Sequence, residues 1–568
     1  MHTACAPELW ADATWGAITS PTPVAITPEG PFRYGDLRAD PTRRRFLAVR
    51  EDHSGEGQPT AAIVDVPLDG ERAPRVLTSG PDFLAAPRPS PDGERLAWLE
   101  WDHPDMPWDA TRLRVAPMLE DGTLGPSDLA AGGPDESIVQ PEWSPDGALH
   151  FLSDRSGWWN LYRLDEGPRL TPLVPMAAEF ADPSWVFDRS SYQFLPEGVI
   201  VAIARSGSRD RLYHIVPGDQ VGEVASDYTE FDGLRAGRSA VIAIAASPGE
   251  AAVLVSLDLE TLAPVGVLRR SSPVALDPAI VSMPEAIEFA STNGRIAHAL
   301  YYPPRNPDAI APEGERPPLV VFSHGGPTSN ASTGLSLDVQ LLTSRGIAVV
   351  DVDYAGSTGY GRAYRKALEG AWGIADVDDC IAAARFLVDR GDVDPDRLAI
   401  EGGSAGGYTT LAALAFHDAF AAGISFFGVG DLEALARETH KFEARYLDRL
   451  VGPYPAMADV YRQRSPVHFL DEISCPVLVL QGLEDHVVPP SQAEAIVAAL
   501  EANKIPHAYL AFEGEGHGFR GASAIRRSTE SQLAFLGAVF GFTPAGDLPP
   551  LELPGLDAWR ERRGTVTV

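Results

Sequence analysis

Near residue 285 the apolar residues of this chain change their rhythm, and neither one sheet nor one helix bundle accommodates both patterns. Between about residues 30 and 275 the apolar runs are short, often alternate, and are cut by turn dipeptides every dozen residues or so, the pattern of an all-β fold. Phe46-Leu-Ala-Val, Arg95-Leu-Ala-Trp-Leu, Leu149-His-Phe-Leu and Val241-Ile-Ala-Ile-Ala are such runs. A turn cassette recurs as Pro89-Ser-Pro-Asp-Gly93 and Trp143-Ser-Pro-Asp-Gly147, with degenerate copies at Pro183-Ser-Trp185 and Ser247-Pro-Gly249. Proline sets φ for the first turn position, aspartate bonds back to the backbone, and glycine accepts positive φ. Similar units start about 40–60 residues apart, the length of a four-stranded propeller blade.

Beyond residue 285, short buried runs alternate with helical segments, which implies a mostly parallel, doubly wound sheet covered on both faces. The expected strands are Leu319–Phe322, Ile347–Val352, Leu398–Ile400, Ile424–Phe427, Val477–Leu480 and Ala508–Phe512. Val377, Ile381, Ala384 and Leu387 recur at helical spacing before Gly391, so 376–390 reads as a helix with a glycine C-cap. After about residue 545 proline is too frequent for regular structure. The expected organisation is a β-propeller over 1–280, an α/β catalytic domain over 281–545 and a proline-rich tail over 546–568.

Composition narrows the functional classes. At 568 residues the chain exceeds a single domain, and its 44% apolar and 22% charged content is that of a globular protein. No run approaches the ~18 apolar residues that span a bilayer. A formal charge of −33 disfavours nucleic acid and anionic membranes as partners. Cys5, Cys380 and Cys475 form no paired pattern, which argues against a disulfide framework or a thiolate zinc site. The start, Met1-His-Thr-Ala-Cys-Ala-Pro-Glu, does not read as a secretory signal, so a cytoplasmic location is expected.

The chemistry is concentrated in the second half. Gly402-Gly-Ser404-Ala-Gly406 satisfies G-x-S-x-G between an expected strand and a helix-forming run, Tyr408 to Phe416. A serine so placed needs a base and an orienting acid in the chain order Ser, Asp, His. Strand Val477–Leu480 runs into Gln481-Gly-Leu-Glu-Asp485, and strand Ala508–Phe512 into Glu513-Gly-Glu-Gly-His517. The expected triad is therefore Ser404, Asp485 and His517, with His486 the competing base and Glu484 the competing acid. After strand Leu319–Phe322, Ser323-His-Gly-Gly-Pro327 offers backbone N–H groups at Gly325 or Gly326 that, with Ala405, would hold an oxyanion. His324 has no accompanying ligand cluster, so neither a metal nor another cofactor is expected.

Together these motifs resemble the prolyl oligopeptidase family of serine peptidases, in particular its acylaminoacyl-peptidase and dipeptidyl-peptidase branches. The resemblance rests on His324-Gly-Gly-Pro327, Asp353-Tyr-Ala-Gly-Ser-Thr-Gly-Tyr-Gly361, Trp372-Gly-Ile-Ala-Asp-Val-Asp-Asp379, Gly402-Gly-Ser-Ala-Gly-Gly-Tyr408, the Asp485 loop and Gly516-His-Gly518. It implies an N-terminal propeller, an α/β-hydrolase domain, the same three catalytic residues, and short peptides as substrates. Where several branches use a tyrosine hydroxyl, this chain has His324, which implies a backbone oxyanion donor. The chain has no Glu-Glu dipeptide to clamp a free amino terminus, and Val487 stands where the dipeptidyl branch has asparagine. Dipeptide release is accordingly not expected, and a blocked amino terminus should be tolerated at least as well as a free one. Trp101-Asp-His-Pro-Asp-Met-Pro-Trp108 resembles a segment of bacterial members and is read as packing.

The resemblance also implies that Thr439-His-Lys-Phe-Glu-Ala-Arg-Tyr446 builds a substrate loop. Val429 and Leu432 would line an apolar pocket, and Glu443 and Arg445 would either recognise a peptide terminus or form a surface ion pair. The expectation is a serine exo- or oligopeptidase, acylaminoacyl-peptidase-like, acting through an acyl-enzyme. Its rivals are an esterase or amidase for a small peptide-like metabolite, and an inactive propeller scaffold. A homo-oligomer is compatible with everything above.

Overall fold

The computed structural model describes residues 10–11, 24–165, 167 and 169–563. The stretch Met1–Glu8 with Cys5, and the last five residues of the expected tail, lie outside the described residues.

Five four-stranded antiparallel sheets follow one another at residues 32–79, 83–133, 138–172, 192–224 and 230–270, each paired in chain order. They are the blades of the propeller. In four of them the first strand carries a bulge, at Asp36, Ala86, Gln140 and Gly233, each with φ between +46° and +62°. Such bulges sharpen the local twist. Side chains from consecutive sheets interdigitate: Leu47, Ile63, Leu84 and Trp98 between the first two, Leu99, Ile138 and Phe151 between the next two.

Both full cassettes join the first and second strands of their blades, with Gly93 at φ +75° and Gly147 at φ +83°. The serine closes each turn, since Ser90 Oγ accepts from the N–H of Arg95 at 2.9 Å and Ser144 Oγ from that of Ala148 at 3.1 Å. The degenerate copies are not equivalents. Pro183–Trp185 lies in the connection between the third and fourth sheets, and Ser247–Gly249 joins the second and third strands of the fifth. There the equivalent first turns are the unrelated Leu195–Val199 and Gly237–Ala240, closed by backbone bonds alone.

The second half is built on one eight-stranded sheet: β1 Glu285–Ala290, β2 Ile296–Tyr302, β3 Leu319–Ser323, β4 Ala348–Asp353, β5 Leu398–Gly403, β6 Ala422–Phe426, β7 Val477–Gly482 and β8 His507–Phe512. The order is β1-β2-β4-β3-β5-β6-β7-β8, and only β2 runs against the rest. Helices α1 Ala375–Arg390, α2 Ala405–Phe416 and α3 Ala522–Phe540 pack on it, α1 ending as expected on Gly391 in the left-handed region. This is the α/β-hydrolase arrangement. Between Arg270 and Glu285, where the sequence places its boundary, there is neither strand nor helix.

The tail departs from expectation. Residues 546–555 are irregular, but α4 Leu556–Arg563 is a helix with Leu556 and Trp559 buried against the core. The prolines stop before Gly555, and Leu556 and Trp559 fall three apart on one helical face. Among the described residues no helix is long and apolar enough to cross a membrane.

Propeller and hydrolase meet through buried charge. Asp154 accepts from Arg362 and, at 2.6 Å, from Arg365, whose other nitrogen lies 3.4 Å from Glu179 and whose guanidinium sits 3.8 Å over the Trp159 ring. Both Asp154 and Arg365 are almost wholly buried. Trp185 Nε1–H donates to Thr328 O at 2.7 Å and Lys441 to Asp82 O at 2.6 Å, extending the contact across the third and second blades. Asp154→Ala removes the carboxylate paired with Arg362 and leaves Arg365 to Glu179 alone, and removing one partner from a buried ion cluster costs ~3–5 kcal/mol. Urea denaturation should register that loss; a change below ~1 kcal/mol would contradict the role given to this cluster.

Candidate active site

Because β3, β5, β7 and β8 are parallel, the loops that leave their carboxyl ends emerge on one edge of the sheet. That edge gathers the His324, Ser404, Asp485 and His517 loops. Between β5 and α2 the chain turns so sharply that Ser404 adopts φ +56° and ψ −118°, a conformation only an overdetermined turn retains. Glycine on either side permits it. A Cβ on Gly402 would collide with Ser323 Oγ, one on Gly406 with the Ser323 carbonyl, and one on Gly407 would lie 2.6 Å from Gly428 Cα. Ser404 N–H donates to Phe426 O at 3.0 Å, which ties the elbow to the neighbouring strand.

Asp485 is 2% exposed and both its oxygens are occupied. Oδ1 accepts from the N–H groups of Val487 and Val488 at 2.8 and 2.9 Å, and Oδ2 lies 2.7 Å from His517 Nδ1. A carboxylate so bonded fixes the imidazole with Nδ1 protonated and Nε2 as the acceptor. The Phe427 ring packs 4.8 Å from His517 and 5.6 Å from Phe519, restricting the imidazole from the other side. No hydrogen bond joins Ser404 Oγ to His517 here, and such contacts commonly tighten only when substrate is bound. Of the competing groups, His486 instead lines the larger cavity described below.

At the end of β3, Gly325 approaches the elbow closely enough that a Cβ would stand 3.7 Å from Ser404 Cβ. Gly326 has φ +120°, and a Cβ there would lie 2.7 Å from Thr328 N. Ala405 is the first residue of α2, so its N–H has no carbonyl within the helix to bond. These three backbone groups surround one side of Ser404. His324 is not a ligand but a brace: Nδ1 lies 2.8 Å from Gly325 O, Nε2 2.7 Å from Ser357 Oγ, and its ring stacks on Tyr354 at 4.2 Å. Tyr354 in turn donates to His324 O at 2.7 Å. Burial pushes the His324 imidazole down to about 4, which keeps it neutral.

Ser404 and Ala405 open onto a small cavity of about 30 Å³ whose wall includes Gly326, Trp372, Val429, Glu443, Tyr446 and Leu450. Val429 and Glu443 thus lie where the sequence suggested. Leu432 does not: it is wholly buried in the first turn of the helix Leu432–Glu438, and Leu435, one turn on, reaches the cavity in its place. Arg445 is exposed and bonds Asp448 at 2.7 Å, three residues along the chain, so it faces solvent. Trp372 and Tyr446 were not singled out in the sequence, although Trp372 opens one of the motifs that carry the resemblance and Tyr446 ends the expected substrate loop.

A second, larger cavity of about 460 Å³ runs between the first three blades, the connection 181–191 and the loop around residues 438–442, and His486 lies on its wall. Phe83, Trp101 and Phe442 give it an aromatic side; Asp36, Arg88, Asp188 and Arg189 give it charge. Trp101 stacks on Phe83 at 5.1 Å, while Trp108 packs on Trp185 at 4.4 Å and on Tyr446 at 5.6 Å. Both tryptophans are packed residues, and Trp108 does its packing at the domain interface.

The profile of the prolyl oligopeptidase family matches residues 333–543. Among curated proteins, dipeptidyl aminopeptidase BIII of Pseudoxanthomonas mexicana is 36% identical over 241 residues, 41% of this chain and 35% of that protein. The acylamino-acid-releasing enzyme of Arabidopsis thaliana is 30% identical over 222 residues, 36% of this chain and 28% of that protein. The chain thus spans about a third of the length of these curated relatives. Among solved structures, a puromycin-hydrolyzing peptidase of Mycobacterium tuberculosis superposes with a TM-score of 0.90 at 43% identity, covering 94% of this chain and 83% of that one.

The brace at His324 makes a prediction about pH. Its imidazole titrates near 6.5 when unfolded and near 4 when folded, so between those values the unfolded chain binds the extra proton. Stability contributed by neutral His324 is complete above about 6.5 and is lost as pH falls toward 4. The stability advantage of the wild type over His324→Asn should therefore shrink by ~1 kcal/mol per pH unit across that range. A difference independent of pH would contradict the neutral, buried brace.

Proposed function

The chain belongs to the prolyl oligopeptidase family of serine peptidases, and from that premise we propose that it hydrolyses short peptides as an exo- or oligopeptidase through an acyl-enzyme on Ser404. The observation that carries this reading is the Asp485–His517 bond on the same sheet edge as a serine held at φ +56°. Ser404 Oγ attacks the scissile carbonyl while His517 Nε2 takes its proton, and Asp485 stabilises the imidazolium through Nδ1–H. The oxyanion is received by the N–H of Ala405 and of Gly325 or Gly326. His517 then protonates the departing amine, and a water, deprotonated by the same nitrogen, releases the acid and restores Ser404.

A second reading keeps this chemistry and changes the leaving group. The likeness to a puromycin-hydrolyzing peptidase favours an amidase that accepts small aminoacyl amides as well as peptides. Comparing kcat/KM on matched peptide, amide and ester substrates separates the readings.

Ser404→Ala should lower kcat by on the order of 10⁴–10⁶, and His517→Ala by a similar, non-additive factor, with folding unchanged. His486→Ala should be mild. A severe His486→Ala variant, or near-normal Ser404→Ala turnover, would overturn the assignment of roles. Loss of fluorophosphonate labelling in Ser404→Ala alone also excludes the inactive-scaffold alternative. The family's architecture, a propeller over the hydrolase sheet edge, further implies that hydrolysis falls steeply beyond about 30 residues. Efficient digestion of denatured casein would refute that restriction.

A further inference from the structure

We propose that Glu443 receives the free α-ammonium of the substrate, so that the enzyme removes single residues from unblocked amino termini; the inference rests on the serine-peptidase reading above. Glu443 ends the short turn Lys441–Glu443 and lines the small cavity together with Ser404, Ala405 and Gly326. Among the described residues on that wall it is the one charged side chain. Among the described residues neither of its oxygens accepts a hydrogen bond, and its ion-pair partner, His440 Nε2, stands 3.7 Å away, beyond hydrogen-bonding distance.

Several other carboxylates of the chain are paired. Asp65 meets Arg45, Arg72 and Arg75, Asp379 meets Arg295, and Glu515 takes the N–H groups of Arg520 and Gly521. Arg445, two residues from Glu443, turns away and pairs with Asp448 instead. Burial raises the proton affinity of Glu443, and nearby positive charge, that of His517 included, offsets this only in part. The one carboxylate in an otherwise uncharged wall is complementary to a cation that arrives with the substrate.

Position decides which cation. An α-nitrogen lies two bonds, ~2.5 Å, from the carbonyl carbon that Ser404 attacks, so a carboxylate in the same small cavity is within its reach. A lysine or arginine head lies several bonds further out, and about 30 Å³ bounded by Val429, Tyr446 and Leu450 does not hold its stem. The same cavity takes a short apolar side chain while Glu443 takes the amine. This reverses the tolerance of blocked termini that the missing Glu-Glu pair suggested, because the cation site comes from the hydrolase loop instead of the propeller.

The test is a set of 4-nitroanilides, H-Ala, N-acetyl-Ala and N-acetyl-Lys, with H-Ala-Ala-Ala-amide for product analysis, on wild type, Glu443→Gln and Glu443→Asp. Wild type should prefer H-Ala over N-acetyl-Ala by on the order of 100-fold in kcat/KM, as expected for a desolvated charge pair, and should release free alanine from the tripeptide. Glu443→Gln should abolish that preference mainly through KM, with N-acetyl-Ala changed less than about 3-fold, and Glu443→Asp should restore part of it. Equal loss on both alanine substrates, a wild type indifferent to acetylation, dipeptide release, or a loss confined to N-acetyl-Lys would each overturn the proposal. Fluorophosphonate labelling of all three proteins keeps the two readings distinct: labelling with no amine preference removes only the role of Glu443, whereas absence of labelling and turnover in wild type removes both.

Discussion

The second half of this molecule depends on a lack of room. Where β5 turns into α2, the backbone of residues 402–407 lies against Ser323 and Gly428 with no space for a β-carbon at three of its glycines. Closeness of this kind lets the helix start immediately after the strand, and Ser404, the residue at the apex, pays in backbone strain. The serine then sits at the end of the strand, directly before the first N–H of the helix. Everything else at the site is delivered to that point by the sheet: parallel strands bring the His324, Asp485 and His517 loops to the same edge without any special pairing between them.

The site is completed by neutral and charged groups that are held in place in different ways. His324, buried and uncharged, spans from Gly325 O to Ser357 and keeps the glycine pair beside Ser404. Asp485 is ionically simple but geometrically saturated, with two backbone amides and one imidazole. The propeller is tied down separately, through Asp154, Glu179, Arg362 and Arg365, and this fixes the cavity between the halves. Opening that interface would expose several charges buried together, which is costly.

What the sequence disclosed follows from how local each signal is. The Ser-Pro-Asp-Gly turns were legible because proline, aspartate and glycine each act within four residues, and Ser90 and Ser144 close them with their own hydroxyls. Weaker copies misled because Ser247–Gly249 has turn chemistry without the blade position. The triad loops were legible because glycine-flanked polar residues follow strand-like runs. Leu432, Leu435 and Arg445 were not separable in sequence: which of two leucines one turn apart faces a cavity depends on how the helix Leu432–Glu438 is rotated against α-helical and strand neighbours. The helix Leu556–Arg563 was hidden by the prolines before it, though Leu556 and Trp559 carried its spacing. Neither the larger cavity nor the place of Glu443 on the wall of the smaller one has any local signal, since both arise where distant segments meet.

The central claim is that Ser404, activated by His517 and Asp485, becomes covalently acylated. Rapid-quench mass spectrometry during turnover of an activated ester tests it directly. The account predicts a transient mass increase equal to the acyl group, located on the peptide containing Ser404, forming within the burst and decaying at the rate of turnover. Acylation at any other residue, or steady turnover with no adduct on Ser404, would contradict it.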